Sequence, residues 1–242
     1  MKLAYRARSE AGPVRSLNED FFAVSEDPSD TPPGALFIVC DGHGGPQLGE
    51  VAAQLTAETI SATYTAAQGL DPKQALSEAF QAANQHIQQR WSHSTIRVTA
   101  VAALALAGKI FIASVGDCRA YHYGAGQLQQ ITTDHTFYDE LIRQGLFTRA
   151  DVQAYSTHIT RLRALGELLE LKVDLFQPVL QKNEALLLCT DGLHGYLENK
   201  EIEAVLAALP HEEVVDRCSD LVYARGGRDN VTAMLIWPEE QA

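Results

Sequence analysis

Cysteine is scarce here and poorly spaced for metal or disulfide chemistry. Cys40, Cys118, Cys189 and Cys218 form no C-x-x-C pair, and three of them sit in or beside apolar runs. That pattern reads as reduced core thiols in a cytosolic chain, not as zinc ligands or a disulfide framework. Long apolar runs are also missing. None approaches the roughly 20 residues that span a bilayer, and the opening MKLAYRARSE lacks the apolar core of a secretory signal. Positive charge is in short supply, with 19 Lys and Arg against 31 Asp and Glu and a net charge of −12. An acidic surface repels phosphate backbones and anionic lipid, so neither nucleic acid nor a membrane surface is an expected partner.

Several nucleotide and nucleophile signatures are absent. Counted from Gly42, a G-x-G-x-x-G fingerprint fails at Gln47. Gly44 and Gly49 have P-loop spacing, but Glu50 and Val51 follow where Lys and Ser/Thr are needed. No G-x-S-x-G elbow occurs, and no D-x-D strand end offers an aspartyl nucleophile. No repeat or low-complexity linker divides the chain. Its 242 residues, 46% of them apolar, are expected to form one domain over residues 1–242.

What is present is a set of short apolar, often β-branched runs: Leu36–Cys40, Val98–Leu106, Ile110–Val115, Ala185–Cys189 and Thr232–Trp237. The second and third are joined by only AGK, too short for a crossover helix, so they are expected to pair antiparallel. CRAYHY-GAG-QLQQI reads as another hairpin. Pro46 suits the first turn of a helix to about Ala67. Asp71-Pro72 opens a second to about Trp91, and Pro210 a last one towards Arg225. Helices around antiparallel strands predict an α+β layered domain. Glu26–Gly34 reads as a polar turn. Phe137–His158 reads as two short helical turns around Gly145, either a flap or an ordinary surface helix pair.

Acidic residues recur where strands end. Asp41 follows LFIVC, Asp117 follows IFIASVG, Asp191 follows ALLLCT and Asp229 precedes NVTAMLIW, while Asn18-Glu19-Asp20 precedes FFAV. One such aspartate is ordinary turn chemistry. Four of them near a common edge would repel one another by several kcal/mol unless cations bind between them. Oxygen-only ligation selects magnesium or manganese over zinc. Two such ions can lower the pKa of a water and aim it at phosphorus. Arg15 could grip a phosphate dianion, and His43 could protonate a leaving alkoxide. Taken singly, these two read as a surface charge and a polar turn residue.

In order along the chain, RSLNED (15–20), DGHGG (41–45), VGDCRAY (115–121), TDH (133–135), LCTDGL (188–193) and GGRDNVT (226–232) resemble the PPM family, the metal-dependent type 2C serine/threonine protein phosphatases. The resemblance covers almost the whole chain. It implies an αββα four-layer sandwich, two antiparallel sheets flanked by helices, with a flap near 137–158. It also implies two Mn2+ or Mg2+ ions and a third, weaker site. Carried over by position, Asp41 bridges the metals, the Gly42 carbonyl binds one, and Asp191 and Asp229 complete the other. Glu19 holds a metal-bound water and Asp20 orients it; Asp117 serves the third site. Arg15 clamps phosphate, and His43 is the general acid, where many bacterial relatives carry methionine. The implied reaction is direct attack of water on phosphoserine or phosphothreonine in proteins, with no phosphoenzyme. The implied setting is a cytoplasmic monomer opposing a bacterial Ser/Thr kinase.

Two positions depart from the family pattern. Bacterial members usually place glycine and small hydroxyl residues before AVAAL, where Arg97-Val98-Thr99 stand here. Arg97 either alters substrate access or is an exposed strand end. Cys118 replaces the serine of GDSR at no cost to the metal ligands. Two rival functions remain open: a binding module without turnover, and an enzyme of small phosphate esters.

Overall fold

An unbroken apolar strand such as Leu36–Cys40 needs cover on both faces. The computed structural model, which describes residues 2–27, 34–44, 48–67, 69–92, 95–148, 162–167 and 171–239, supplies it with a second sheet on one side and helices on the other. The first sheet holds β2 (Asp20–Asp27), β3 (Gly34–His43), β4 (Arg97–Leu106), β5 (Lys109–Val115) and β8 (Asp174–Phe176), in the order β2-β3-β4-β5-β8. The second holds β1 (Leu3–Glu10), β6 (Arg119–Gly124), β7 (Gln127–Gln130), β9 (Ala185–Cys189) and β10 (Val231–Pro238), in the order β1-β10-β9-β6-β7. Every pairing is antiparallel.

Strand alternation divides the core into three layers. Even residues of β3, Leu36, Ile38 and Cys40, face α1 (Leu48–Ala66) and α2 (Pro72–Arg90). Odd residues Phe37 and Val39 meet Leu186, Leu188, Met234 and Ile236 between the sheets. Beyond the second sheet, Leu187, Cys189 and Leu235 pack with α4 (Asp191–His194), α5 (Asn199–Ala208) and α6 (His211–Ala224). The αββα sandwich is therefore present. All four cysteines are free and buried, as their spacing implies. Among the described residues no helix is long and apolar enough to cross a membrane.

Local signals explain the joints. The link between β4 and β5 is the pair Ala107-Gly108, with φ of 50° and 75°. Ala125-Gly126 repeats it between β6 and β7 with 52° and 75°. Positive φ at both central residues is the hairpin geometry that matches strand twist. α2 starts where Asp71 accepts the Lys73 and Gln74 N–H groups at 3.0 and 3.3 Å, with Pro72 in the first turn. α6 follows Pro210 as expected.

Other elements differ from the sequence reading. Glu26 and Asp27 extend β2, so the polar turn is shorter than Glu26–Gly34, and residues 28–33 lie outside the described residues. Pro46 also lies outside them, and α1 is described from Leu48. In the flap region α3 (Phe137–Arg143) forms the first helical turn, while residues 149–161 lie outside the described set. Strands β1 and β8 and helices α4 and α5 were not anticipated.

Candidate active site

Asp20, at the start of β2, lies directly opposite Asp41 in β3, and Asp41 lies opposite Thr99 in β4. Directly paired residues share a sheet face. Here that face is the inter-sheet one, and Asp20, Asp41 and Thr99 are all buried. Asp41 and His43 therefore belong to the strand ladder, correcting the expectation that the strand ends at Cys40 with Asp41 just beyond it. Gly42 is needed for a close approach: a Cβ there would stand 2.1 Å from the Gly49 carbonyl oxygen and 2.9 Å from that of Glu19. Its N–H donates to the Glu19 carbonyl at 3.1 Å.

The opposite sheet contributes a hydroxyl bridge. Thr190 Oγ1 donates to Asp20 Oδ2 at 2.9 Å and accepts the Thr232 N–H at 3.1 Å. The Thr190 N–H in turn donates to the Thr232 carbonyl at 3.0 Å. Burial pushes the Asp20 carboxyl up to about 7; the Asp191 and Asp229 carboxylates add to the rise, and the Thr232 and Thr190 hydrogen bonds oppose it. The Asp191 and Asp229 carboxylates thus both lie within electrostatic range of Asp20.

Asp191 opens α4, and Gly192 lets that helix close on the loop before β10. A Cβ at Gly192 would come within 1.8 Å of the Asn230 carbonyl oxygen. Asn230 is a hub that the sequence reading missed. Its Nδ2 donates to the Ala11 and Leu17 carbonyls at 3.1 and 2.8 Å, and its Oδ1 accepts the Glu19 N–H at 2.9 Å. It ties the segment carrying Arg15 and Glu19 to the loop carrying Asp229. Arg15 Nη2 sits 3.0 Å from Asp229 Oδ1, and its Nε donates to the Arg228 carbonyl at 3.2 Å. His43 Nδ1 lies 3.2 Å from Asp41 Oδ1. Asp117 occupies the turn between β5 and β6, where its carbonyl accepts from His194 Nε2 at 2.9 Å. Cys118 Sγ is 3.2 Å from Thr99 Oγ1, and burial raises its pKa well above the usual thiol value. Burial of this kind disfavours the reactive thiolate form.

The TDH motif supports the frame. Asp134 takes the Arg119 guanidinium in a forked pair, with contacts of 2.9, 2.9 and 2.6 Å. His135 accepts the Gly116 N–H on Nδ1 at 2.9 Å and places Nε2 3.1 Å from Asp174 Oδ2.

Among the described residues, no three His, Cys, Asp or Glu side chains form a ready ligand set as they stand. Asp229 is engaged by Arg15 and Asp41 by His43. The donor chemistry still fits a hard divalent cation, because the acidic side chains gathered here offer oxygen alone. Glu19 Oε1 is buried without a hydrogen-bond partner. Burial raises the Glu19 carboxyl as well, against the pull of Arg15.

The protein phosphatase 2C pattern matches residues 8–142. The chain belongs to the protein phosphatase 2C family. Serine/threonine phosphatase stp of Listeria welshimeri is 30% identical over 238 residues, covering 95% of this chain and 93% of that one. The catalytic domain of the serine/threonine protein phosphatase PstP, solved in complex with two manganese ions, has a TM-score of 0.80 at 30% identity and covers 97% of each chain. Stp1 from Staphylococcus aureus has a TM-score of 0.87 at 27% identity, covering 99% of this chain and 96% of that one. Family membership makes this chain a metal-dependent protein phosphatase.

Proposed function

We propose that residues 1–242 act as one catalytic unit, a monomer that hydrolyses phosphoserine and phosphothreonine on proteins with Mn2+ or Mg2+. In the cell it opposes a Ser/Thr kinase. The observation that carries this reading is the row Asp20–Asp41–Thr99, met from the other sheet by Thr190 and in range of Asp191 and Asp229.

Asp41, the Gly42 carbonyl, Asp191 and Asp229 would hold two metals, with Asp117 serving a weaker third. When bound, the metals neutralise charge and lower the pKa of a water. Glu19 and Asp20 hold and orient that water, Asp20 being fixed by the Thr190 hydroxyl. Arg15 exchanges Asp229 for the phosphate dianion and stabilises the charge that develops there. His43, with Nδ1 turned to Asp41, delivers its proton from Nε2 to the leaving serine or threonine oxygen.

Hydrolysis of p-nitrophenyl phosphate and of a phosphothreonine peptide, with manganese, with magnesium and with chelator, tests the reading. Chelator should abolish both activities. No metal-dependent turnover would mean a binding module; turnover of sugar phosphates in preference to phosphopeptides would mean a small-ester enzyme. His43→Ala should lower peptide turnover by roughly 10²–10⁴. A near-native rate would remove its role as the acid.

A further inference from the structure

Arg97 has no part in the chemistry above, yet its position is built into the site. It is the cross-strand partner of His43. Two steps along the same face of β4 is Thr99, the partner of Asp41. Cβ atoms of directly opposed residues lie about 5 Å apart, so Arg97 flanks the side chain assigned to the leaving oxygen. The peptide remains attached to that oxygen, so it must leave the site past His43.

The Arg97 guanidinium is already held in place. Nη1 donates to the Ile96 carbonyl at 2.7 Å, and Nε lies 3.2 Å from Glu167 Oε1. Glu167 is equally fixed through its neighbours. Leu165 exchanges backbone hydrogen bonds with Val98 at 3.1 and 2.8 Å, and the Gly166 N–H donates to buried Asn84 Oδ1 at 2.7 Å. Both partners keep about a third of the side chain in solvent, 31% and 27%. The result is an oriented cation beside the peptide exit, with an internal carboxylate lying on it.

We propose that Arg97 is a specificity-determining residue that pairs with an acidic side chain next to the phosphorylated residue of the substrate. Glu167 is the internal stand-in that such a side chain displaces. On a chain of net charge −12, an acidic substrate segment is repelled by most of the surface. A local cation at the exit offsets that repulsion and selects the register. The inference rests on the proposed phosphoprotein hydrolysis and on the role given to His43.

The test uses phosphothreonine peptides that differ only by Asp or Ala at each position from two before to two after the phosphorylated residue. The readout is the Asp/Ala ratio of kcat/KM for the metal-loaded enzyme. At one position or more the parent should favour Asp by about two- to fivefold, the size expected of a partly exposed ion pair. The preference should reside in KM and shrink with added salt. Arg97→Glu should invert the ratio, and Glu167→Gln, which frees the guanidinium from its stand-in, should increase it. A ratio near one in the parent, or a ratio unmoved in both variants, overturns the inference while leaving hydrolysis intact. If the parent hydrolyses p-nitrophenyl phosphate but none of the peptides, the functional reading itself fails.

Discussion

The Thr190 hydroxyl should be among the most expensive single groups to remove from this protein. Thr190 is fully buried, and its oxygen serves two polar groups at once: it donates to Asp20 Oδ2 at 2.9 Å and accepts the Thr232 N–H at 3.1 Å. Thr190→Val nearly preserves volume and removes both bonds. Each buried partner left unsatisfied costs about 1–3 kcal/mol. Thr232 also bonds to Asp20 and takes up part of the loss. A total of about 3 kcal/mol follows, a large share of the roughly 5–15 kcal/mol that holds a domain together. In urea, with a slope of about 3 kcal/mol/M for a chain of this size, the unfolding midpoint should fall by about 1 M. Thr190→Ser keeps the hydroxyl and should lose only about 1 kcal/mol of methyl burial. Equilibrium unfolding of the three proteins, followed by circular dichroism without divalent metal, makes the comparison. If Thr190→Val unfolds within about 0.2 M of the parent and Thr190→Ser does not differ from it, the bridge between the sheets is not what fixes Asp20.

Two further outcomes are expected. Gly192→Ala should cost about 1–3 kcal/mol through overpacking, because its Cβ would meet the Asn230 carbonyl 1.8 Å away. Thermal unfolding and p-nitrophenyl phosphate turnover should both report it, since Asp191 and Asp229 separate as the helix moves. Stability should also fall below pH 6.5 because of His135. Burial holds its imidazole below the ordinary value, with the Asp174 hydrogen bond pulling the other way. A depressed folded pKa means that the stability is fully present above the unfolded value, about 6.5, and is lost as pH falls through the folded one. The drop in unfolding midpoint from pH 7 to pH 5 should therefore be smaller in His135→Gln, which does not titrate.

Legibility in the sequence followed how local each signal was. The β4–β5 hairpin could be read because two apolar runs are separated by AGK alone, with Ala107-Gly108 making the turn. The buried central strands were legible because cover on both faces demands continuous apolar sequence. Edge strand β1 was not, because Arg6 and Arg8 pair with Asp216 and Asp220 on α6 and give LAYRARSE a polar look. Asp41, Asp191 and Asp229 stood out as acids at the margins of apolar strands, whereas their supports did not. Thr190, Thr232 and Asn230 are unremarkable in sequence, and their partners Asp20, Ala11 and Leu17 lie far away in the chain. The extent of β3 was misjudged for a related reason. Asp-Gly commonly marks a turn, but here the ladder with β4 carries the strand on through Asp41 and Gly42 to His43.

The pairing of β1 with β10 along eight residues, Leu3 with Pro238 through Glu10 with Val231, has a consequence for biosynthesis. Contacts between segments so far apart in sequence are slow to form because the intervening loop must first be closed. A nascent chain that has emerged only as far as α4 contains Asp41 and Asp191 but not Asp229, Asn230 or the strand on which β1 docks. The site therefore cannot be assembled until β10 has been made, and a chain that stops short of it would carry an acidic pocket with one wall still missing.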